Sequence, residues 1–258
     1  MDLQLRGKKA LVCASSKGIG RAIADGLAQE GVDLLLCARD GAALEAAARD
    51  IRRHDVAVET RSADLTRRED VKSLIAWADG VDILINNVGG PAPSSALETT
   101  EEQWRLGFER LFASSTVLTQ GLVTGMQQRE FGRVITVTSL VAVEPNTSLA
   151  VSTAMRAAVT AFSKTLSVEV AASGVTVHTL MPGLIETDRL RSLQADASKK
   201  NGTSLHDEMQ RMTQSIPMKR LGTPEEFAAL AVFLCSPLAA YLTGLNIAVD
   251  GGSRRAIV

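Results

Sequence analysis

The chain has one tyrosine, three histidines and three cysteines among 258 residues. The odd set Cys13, Cys37 and Cys235 makes no disulfide frame. Each sits in an apolar run and reads as a small buried hydrophobe of a reducing compartment. His54, His178 and His206 are too scattered to give metal-ligand spacing, so no metal site is expected. Charge of one sign is also missing. Lys plus Arg number 28 against 29 Asp plus Glu, which leaves no basic field for nucleic acid or an anionic membrane. The longest apolar run, Ala228 to Cys235, falls far short of the roughly 20 residues of a membrane span. The opening MDLQLRGKK lacks the apolar centre of a signal peptide, so a cytoplasmic protein is expected.

What is present is 45% hydrophobic and 22% charged residues, enough for a large core. Strand-like apolar runs recur at Ala10–Ala14, Asp33–Ala38, Ala57–Arg61, Asp82–Asn86, Arg133–Ser139, Val175–Leu180 and Asn246–Asp250. Helical patterns fill the gaps at Gly20–Glu30, Gly41–His54, Thr66–Ala78, Thr100–Arg129, Leu149–Ser173 and Pro224–Cys235. Such alternation predicts one domain over 1–258. Its expected form is a Rossmann-type, doubly wound, parallel seven-stranded sheet with helices on both faces. The polar stretch Glu186–Lys219 contains no strand and is expected to form a helical lid over the substrate. Its Arg189, Arg191, Lys199, Lys200 and Arg211 alternate with Asp188, Asp196, Asp207 and Glu208, the pattern of a solvated surface.

Ligands of such sheets bind at the carboxyl ends of the strands. After the first strand, Ser15, Lys17, Gly18, Ile19 and Gly20 form a glycine turn running into a helix, suited to a pyrophosphate. After the second strand comes Arg39 rather than a carboxylate. Together with Lys17, this favours NADP(H), with NAD(H) not excluded and Asp40 as a countervailing charge. Asp64 and Leu65 follow the third strand, placing Asp64 to accept from an adenine amino group. Asn86 and Gly89 follow the fourth, placing backbone and amide groups near the adenosine ribose.

These loops, with Ser139, Pro182-Gly183-Leu-Ile-Glu-Thr187 and Val249-Asp250-Gly251-Gly252, resemble the short-chain dehydrogenase/reductase family, with 3-oxoacyl-[acyl-carrier-protein] reductases as the nearest flavour. The resemblance covers nearly the whole chain. It implies a nicotinamide cofactor, hydride transfer at a carbonyl, and a homotetramer or homodimer built on the Thr100–Arg129 and Leu149–Ser173 helices. It also implies that Pro182, Gly183, Ile185 and Thr187 border the nicotinamide. Family members open the phosphate loop with Thr-Gly, where this chain has Cys13-Ala14. Their catalytic Asn, Ser, Tyr and Lys fall at Leu111, Ser139, Ser152 and Arg156, so only the serine is kept.

A phenol is tunable toward neutral pH, whereas an aliphatic hydroxyl is far weaker as an acid and a guanidinium gives up its proton poorly. Ser152 and Arg156 share a helix face, and Ser139 at the fifth strand's tip is expected to face them. Such a cluster can polarise a carbonyl with water as the proton source, and Arg156 can also bind the cofactor by holding its ribose hydroxyls. Thr153, Glu144, His178 and Glu186 are weaker candidates for a replacement acid. The leading expectation is an NADP(H)-dependent reductase of a ketone or 3-oxoacyl thioester. The alternatives are a non-redox enzyme of the same fold (dehydratase, cyclase or isomerase) or a silent nucleotide-binding subunit.

Overall fold

Short runs, mostly apolar except at the polar edge strand β3, form β1 (Lys9–Cys13), β2 (Asp33–Ala38), β3 (Val58–Ser62), β4 (Ile83–Asn86), β5 (Gly132–Val137), β6 (Val175–Pro182) and β7 (Asn246–Val249). The computed structural model describes residues 1–256, so the last two residues of the expected 1–258 domain lie outside the described residues. All strand pairs are parallel, in the order β3-β2-β1-β4-β5-β6-β7. The order reverses between β1 and β4, which opens a crevice at the carboxyl ends of these two strands.

The helices are α1 (Gly18–Gln29), α2 (Gly41–Ile51), α3 (Arg68–Trp77), α4 (Glu101–Gly107), α5 (Ser114–Gln128), α6 (Ala150–Val170), α7 (Asp188–Asn201), α8 (Leu205–Ser215) and α9 (Pro224–Cys235). Because side chains alternate along a strand, Ala10 and Val12 of β1 face one core with Leu27, Leu44 and Phe227 from α1, α2 and α9. Leu11 and Cys13 face a second core with Leu74, Leu118 and Leu166 from α3, α5 and α6. The three cysteines are free and buried. Among the described residues, no helix is long and apolar enough to cross a membrane, and no group of His, Cys, Asp and Glu could hold a metal.

Beyond shifts of a residue or two at other strand ends, three elements differ from the sequence reading, two through local backbone turns and one beside a tertiary contact. β1 ends at Cys13 because Ala14 turns into the left-handed region at φ 48°. β5 ends at Val137, and Ser139 instead begins a short 3-10 turn, Leu140–Ala142. The expected helix Thr100–Arg129 is divided by a π-helical turn at Phe108–Ala113. Just before this turn Gly107 lies flush against α6, where a β-carbon would stand 2.1 Å from Val151 Cγ1. π turns of this kind recur at functional sites, and this one buries Leu111 and carries Arg110.

Candidate active site

The phosphate loop runs from β1 into α1. Lys17 caps the helix in extended conformation with no side-chain cap, and no acid occupies the first turn. The first N–H groups of α1 therefore face outward without an anionic partner from the chain, and Gly18 at φ 59° turns the backbone toward that end. A dinucleotide phosphate fits this donor set. Gly20 admits no side chain, because a β-carbon there would lie 2.4 Å from the Ala14 carbonyl oxygen and 2.7 Å from Asn87 Nδ2. Asn87 thus braces the loop, a contact visible only in three dimensions.

Ala14 holds the positive φ that glycine occupies freely. For an L-residue the left-handed conformation costs about 1–2 kcal/mol. Ala14→Gly is therefore expected to raise stability by up to about 1 kcal/mol once the added freedom of the unfolded chain is offset. Urea denaturation of the two proteins measures the difference.

Not every predicted cofactor residue points into the crevice. Ser15 is fully buried, and its hydroxyl donates to the Cys37 carbonyl at 3.3 Å, which fixes β1 to β2. The Asn86 amide is turned inward, donating to Thr119 Oγ1 at 2.8 Å and Thr136 Oγ1 at 3.4 Å. Both amide hydrogens are committed to buried hydroxyls, so the expected amide contact with an adenosine ribose gives way to a structural tie. Ile19 and Leu65 are half-buried and pack on the two cores, leaving their backbones at the crevice.

Asp40, the charge that counted against a phosphate-bearing cofactor, is spent as the N-cap of α2, accepting from the Ala43 N–H at 3.0 Å. Arg39 keeps an exposed side chain, and only its carbonyl is engaged, by Ser62 at 2.9 Å. Burial would raise the Asp64 pKa. The two hydrogen bonds from Thr66, with Arg39 and Arg110 nearby, outweigh it and hold the carboxyl below its ordinary value.

The Pro182–Thr187 segment crosses the phosphate loop. Gly183 lies against β7's end, where a β-carbon would stand 2.6 Å from Asp250 Cα. Ile185 is buried and bridges to Gly222 through bonds made by Glu186 N–H and Leu184 C=O, so its own N–H is left for a ligand. The Thr187 methyl sits 3.4 Å from the β-carbon position of Gly18, and its hydroxyl caps α7.

Across the crevice, Ser152 and Arg156 occupy the inner face of α6, both buried. Arg156 Nε donates to Ser152 Oγ at 3.3 Å. Its Nη1 donates to the carbonyls of Val137 at 3.0 Å and Thr138 at 2.7 Å, and Nη2 reaches the Val88 carbonyl at 3.4 Å. The guanidinium thus clamps the ends of β4 and β5 beside Ser139. The Ser139 hydroxyl itself accepts from the Val141 N–H at 3.4 Å, so Arg156 is tied directly to Ser152 and to Ser139 only through the strand end. Burial, with Arg189 nearby, pushes the Arg156 pKa down to about 10, which leaves it charged at neutral pH.

The weaker acid candidates divide into two buried side chains without partners, His178 and Thr153, and two carboxylates engaged elsewhere. His178 is wholly buried in β6, and burial lowers its pKa to about 4, so it stays neutral in the sheet. Glu144 accepts from the backbone N–H groups of Arg255 and Ala256, and Glu186 pairs with Arg191. The Thr153 hydroxyl is buried without a partner. Tyr241, the chain's single phenol, is fully exposed in the loop before β7. Arg189 keeps the exposure expected of a solvated lid. It reaches back from α7 to donate to the carbonyls of Gly90 at 3.0 Å and Pro91 at 3.3 Å.

Residues 13–254 match the family described as Enoyl-(Acyl carrier protein) reductase. The NADPH-dependent reductase BacG of Bacillus subtilis is 33% identical over 97% of this chain and 99% of its own. The chain belongs to the short-chain dehydrogenase/reductase family. The match to the 3-oxoacyl-[acyl-carrier-protein] reductase FabG of Aquifex aeolicus is 31% over 98% of this chain and 99% of the relative. Among solved short-chain dehydrogenase/reductase structures, L-sorbose reductase from Gluconobacter frateurii, complexed with NADPH and L-sorbose, superposes with a TM-score of 0.95. It is 35% identical, with both chains covered in full. The fold is thus held in common with reductases whose substrates differ widely, so the substrate must be sought in this chain's own side chains.

Proposed function

We propose that this protein is an NADP(H)-dependent oxidoreductase that reduces a ketone or 3-oxoacyl thioester by hydride transfer, with Ser139, Ser152 and Arg156 around the carbonyl. Its similarity to an NADPH-dependent reductase and to an NADPH-complexed sugar reductase supports the reaction class. Lys17 and the exposed Arg39, with Asp40 engaged as the N-cap of α2, support the 2′-phosphorylated cofactor. In this reading Gly18, Gly20, Gly89, Pro182, Gly183, Ile185 and Thr187 line the cofactor, and residues 186–219 close over the substrate within a single domain. A cytoplasmic homotetramer or homodimer is the assembly this family membership favours.

The observation that carries the chemistry is the buried, carbonyl-clamped Arg156 beside Ser152. The site departs from the family set, because Ser152 and Arg156 stand where a tyrosine and a lysine are the rule. NADPH supplies the hydride when bound. Arg156 offers a fixed positive charge to the oxygen that becomes negative as the carbonyl is reduced. Ser152 hydrogen-bonds Arg156 Nε and orients the guanidinium. The final proton comes from water, because the serine hydroxyl is too weak an acid and Arg156 retains its charge. Activated carbonyls tolerate such a site best.

Titrating the protein with NADPH and NADH by fluorescence quenching, while product is identified by chromatography, tests this reading. Tighter NADPH binding and stoichiometric conversion of carbonyl to alcohol are expected. Product without net nicotinamide oxidation would establish non-redox chemistry instead. Arg39→Asp is expected to weaken NADPH by about tenfold or more while sparing NADH, since a charge-assisted hydrogen bond is worth about 1.5–3 kcal/mol.

A further inference from the structure

A charge imbalance beside the reacting centre narrows the substrate. Arg156 is buried, yet all its hydrogen bonds run to neutral acceptors: three carbonyls and one hydroxyl. Arg189 is exposed and likewise meets only carbonyls, those of Gly90 and Pro91. Neither makes an ion pair, although nearby arginines do: Arg191 pairs with Glu186, and Arg105 with Glu102 and Glu109. Acids are therefore at hand in the chain but kept out of this corner. Burying a cation without a counter-charge is costly, and a ligand's anion is what offsets it.

The two guanidinium groups also converge. A β-carbon at Gly90 would stand 3.2 Å from Arg189 Nη2 and 3.7 Å from Arg156 Nη2. Gly90 thus leaves open the point that both nitrogens reach. Burial lowers the Arg189 pKa, and Arg110 adds to that lowering, so the like charges repel until an anion arrives. Arg110 is partly balanced, because it lies near Asp64. The uncompensated pair is Arg156 and Arg189. Beside the same loop lies a cavity of about 150 Å³ bounded by Pro91, Leu106, Gly107, Arg110 and Val151. It is mostly apolar and of a size for a small molecule.

We infer that Arg156 and Arg189 form a carboxylate-binding site, and that the substrate is a small oxo acid with its carboxylate a few bonds from the carbonyl. The inference rests on the reductase reading and sharpens its ketone arm. The cofactor's pyrophosphate belongs at the α1 N-terminus, so the anion here comes from the substrate. Arg156 would serve both groups, its positive charge acting on the carbonyl oxygen and its one uncommitted Nη2 hydrogen reaching the carboxylate, while Arg189 at the start of α7 offers Nη1, since both its Nη2 hydrogens already go to the Gly90 and Pro91 carbonyls.

Calorimetric titration of the full protein, saturated with NADP⁺ so that no turnover occurs, tests the site with acetoacetate, its methyl ester and inorganic phosphate. Acetoacetate is expected to bind about tenfold or more tightly than the ester, the worth of one charge-assisted contact. Arg189→Gln, a partly exposed change that spares the core, should erase that preference. Arg191→Gln, whose arginine is paired to Glu186, should keep it. Equal binding of acid and ester, or a preference that survives in Arg189→Gln, overturns the proposal. Tighter binding of phosphate than of acetoacetate overturns the carboxylate assignment in favour of a phosphoryl group such as that of a carrier thioester. NADPH oxidation separates the two readings. A preserved acid preference with no oxidation of NADPH by any carbonyl removes the reductase reading alone, whereas oxidation that treats ester and acid alike removes the carboxylate site alone.

Discussion

Arg156→Ala is expected to lower kcat by about 10²–10³-fold, the range seen when a preorganised group facing a developing oxyanion is removed. NADPH affinity should change far less, because the phosphate-binding loop lies on the other side of the crevice, on β1 and α1. The variant also leaves the Val137 and Thr138 carbonyls without their donor, at a cost of about 1–3 kcal/mol. A thermal melt reads that cost separately from the kinetics. Arg156→Lys, which keeps the charge but loses the forked geometry, should fall between wild type and alanine. Below pH 9 the wild-type rate should show no loss from Arg156, because its pKa of about 10 keeps it protonated there.

Gly20→Ala is the second large effect. Its methyl group would overlap the Ala14 carbonyl oxygen at 2.4 Å and Asn87 Nδ2 at 2.7 Å. The first of these is backbone within the same turn, so the loop itself must move. Overpacking of this kind costs about 1–3 kcal/mol, and because the displaced atoms form the cofactor cradle, NADPH affinity should fall about 10- to 100-fold. Fluorescence titration reads the affinity and denaturant unfolding reads the stability. An unchanged dissociation constant would mean that this turn does not hold the phosphates.

The central strands were legible because they are buried on both faces and carry apolar runs, as in β1 and β2. The helix Pro224–Cys235 was equally plain, because the proline in its first turn and the Thr223 cap mark its start locally. Legibility failed where tertiary contact overrides local pattern. Nothing in Thr100–Arg129 announces a π turn, because its cause is the approach of Gly107 to Val151 on another helix. Ser15 and Asn86 carry polar groups at the right ends of the right strands, but buried carbonyls and hydroxyls claim them first. Conversely, Arg189 sits in a stretch of alternating charge that reads as a solvated surface, and only the fold brings it to the Gly90 carbonyl. Arg156 was legible as a site residue from its position, but its lack of an acidic partner was not.

The most direct measurement is anaerobic mixing of the purified protein with NADPH and a panel of oxo acids, 3-oxoacyl thioesters, diketones and quinones, in wild type and Arg156→Ala side by side. Both bound-cofactor fluorescence and loss of nicotinamide absorbance would be followed. The account predicts that both proteins bind NADPH, that wild type oxidises it with saturation by one substrate class, and that Arg156→Ala oxidises it at least about 10²-fold more slowly. NADPH binding with no oxidation by any carbonyl, or an Arg156→Ala variant turning over at the wild-type rate, would contradict it.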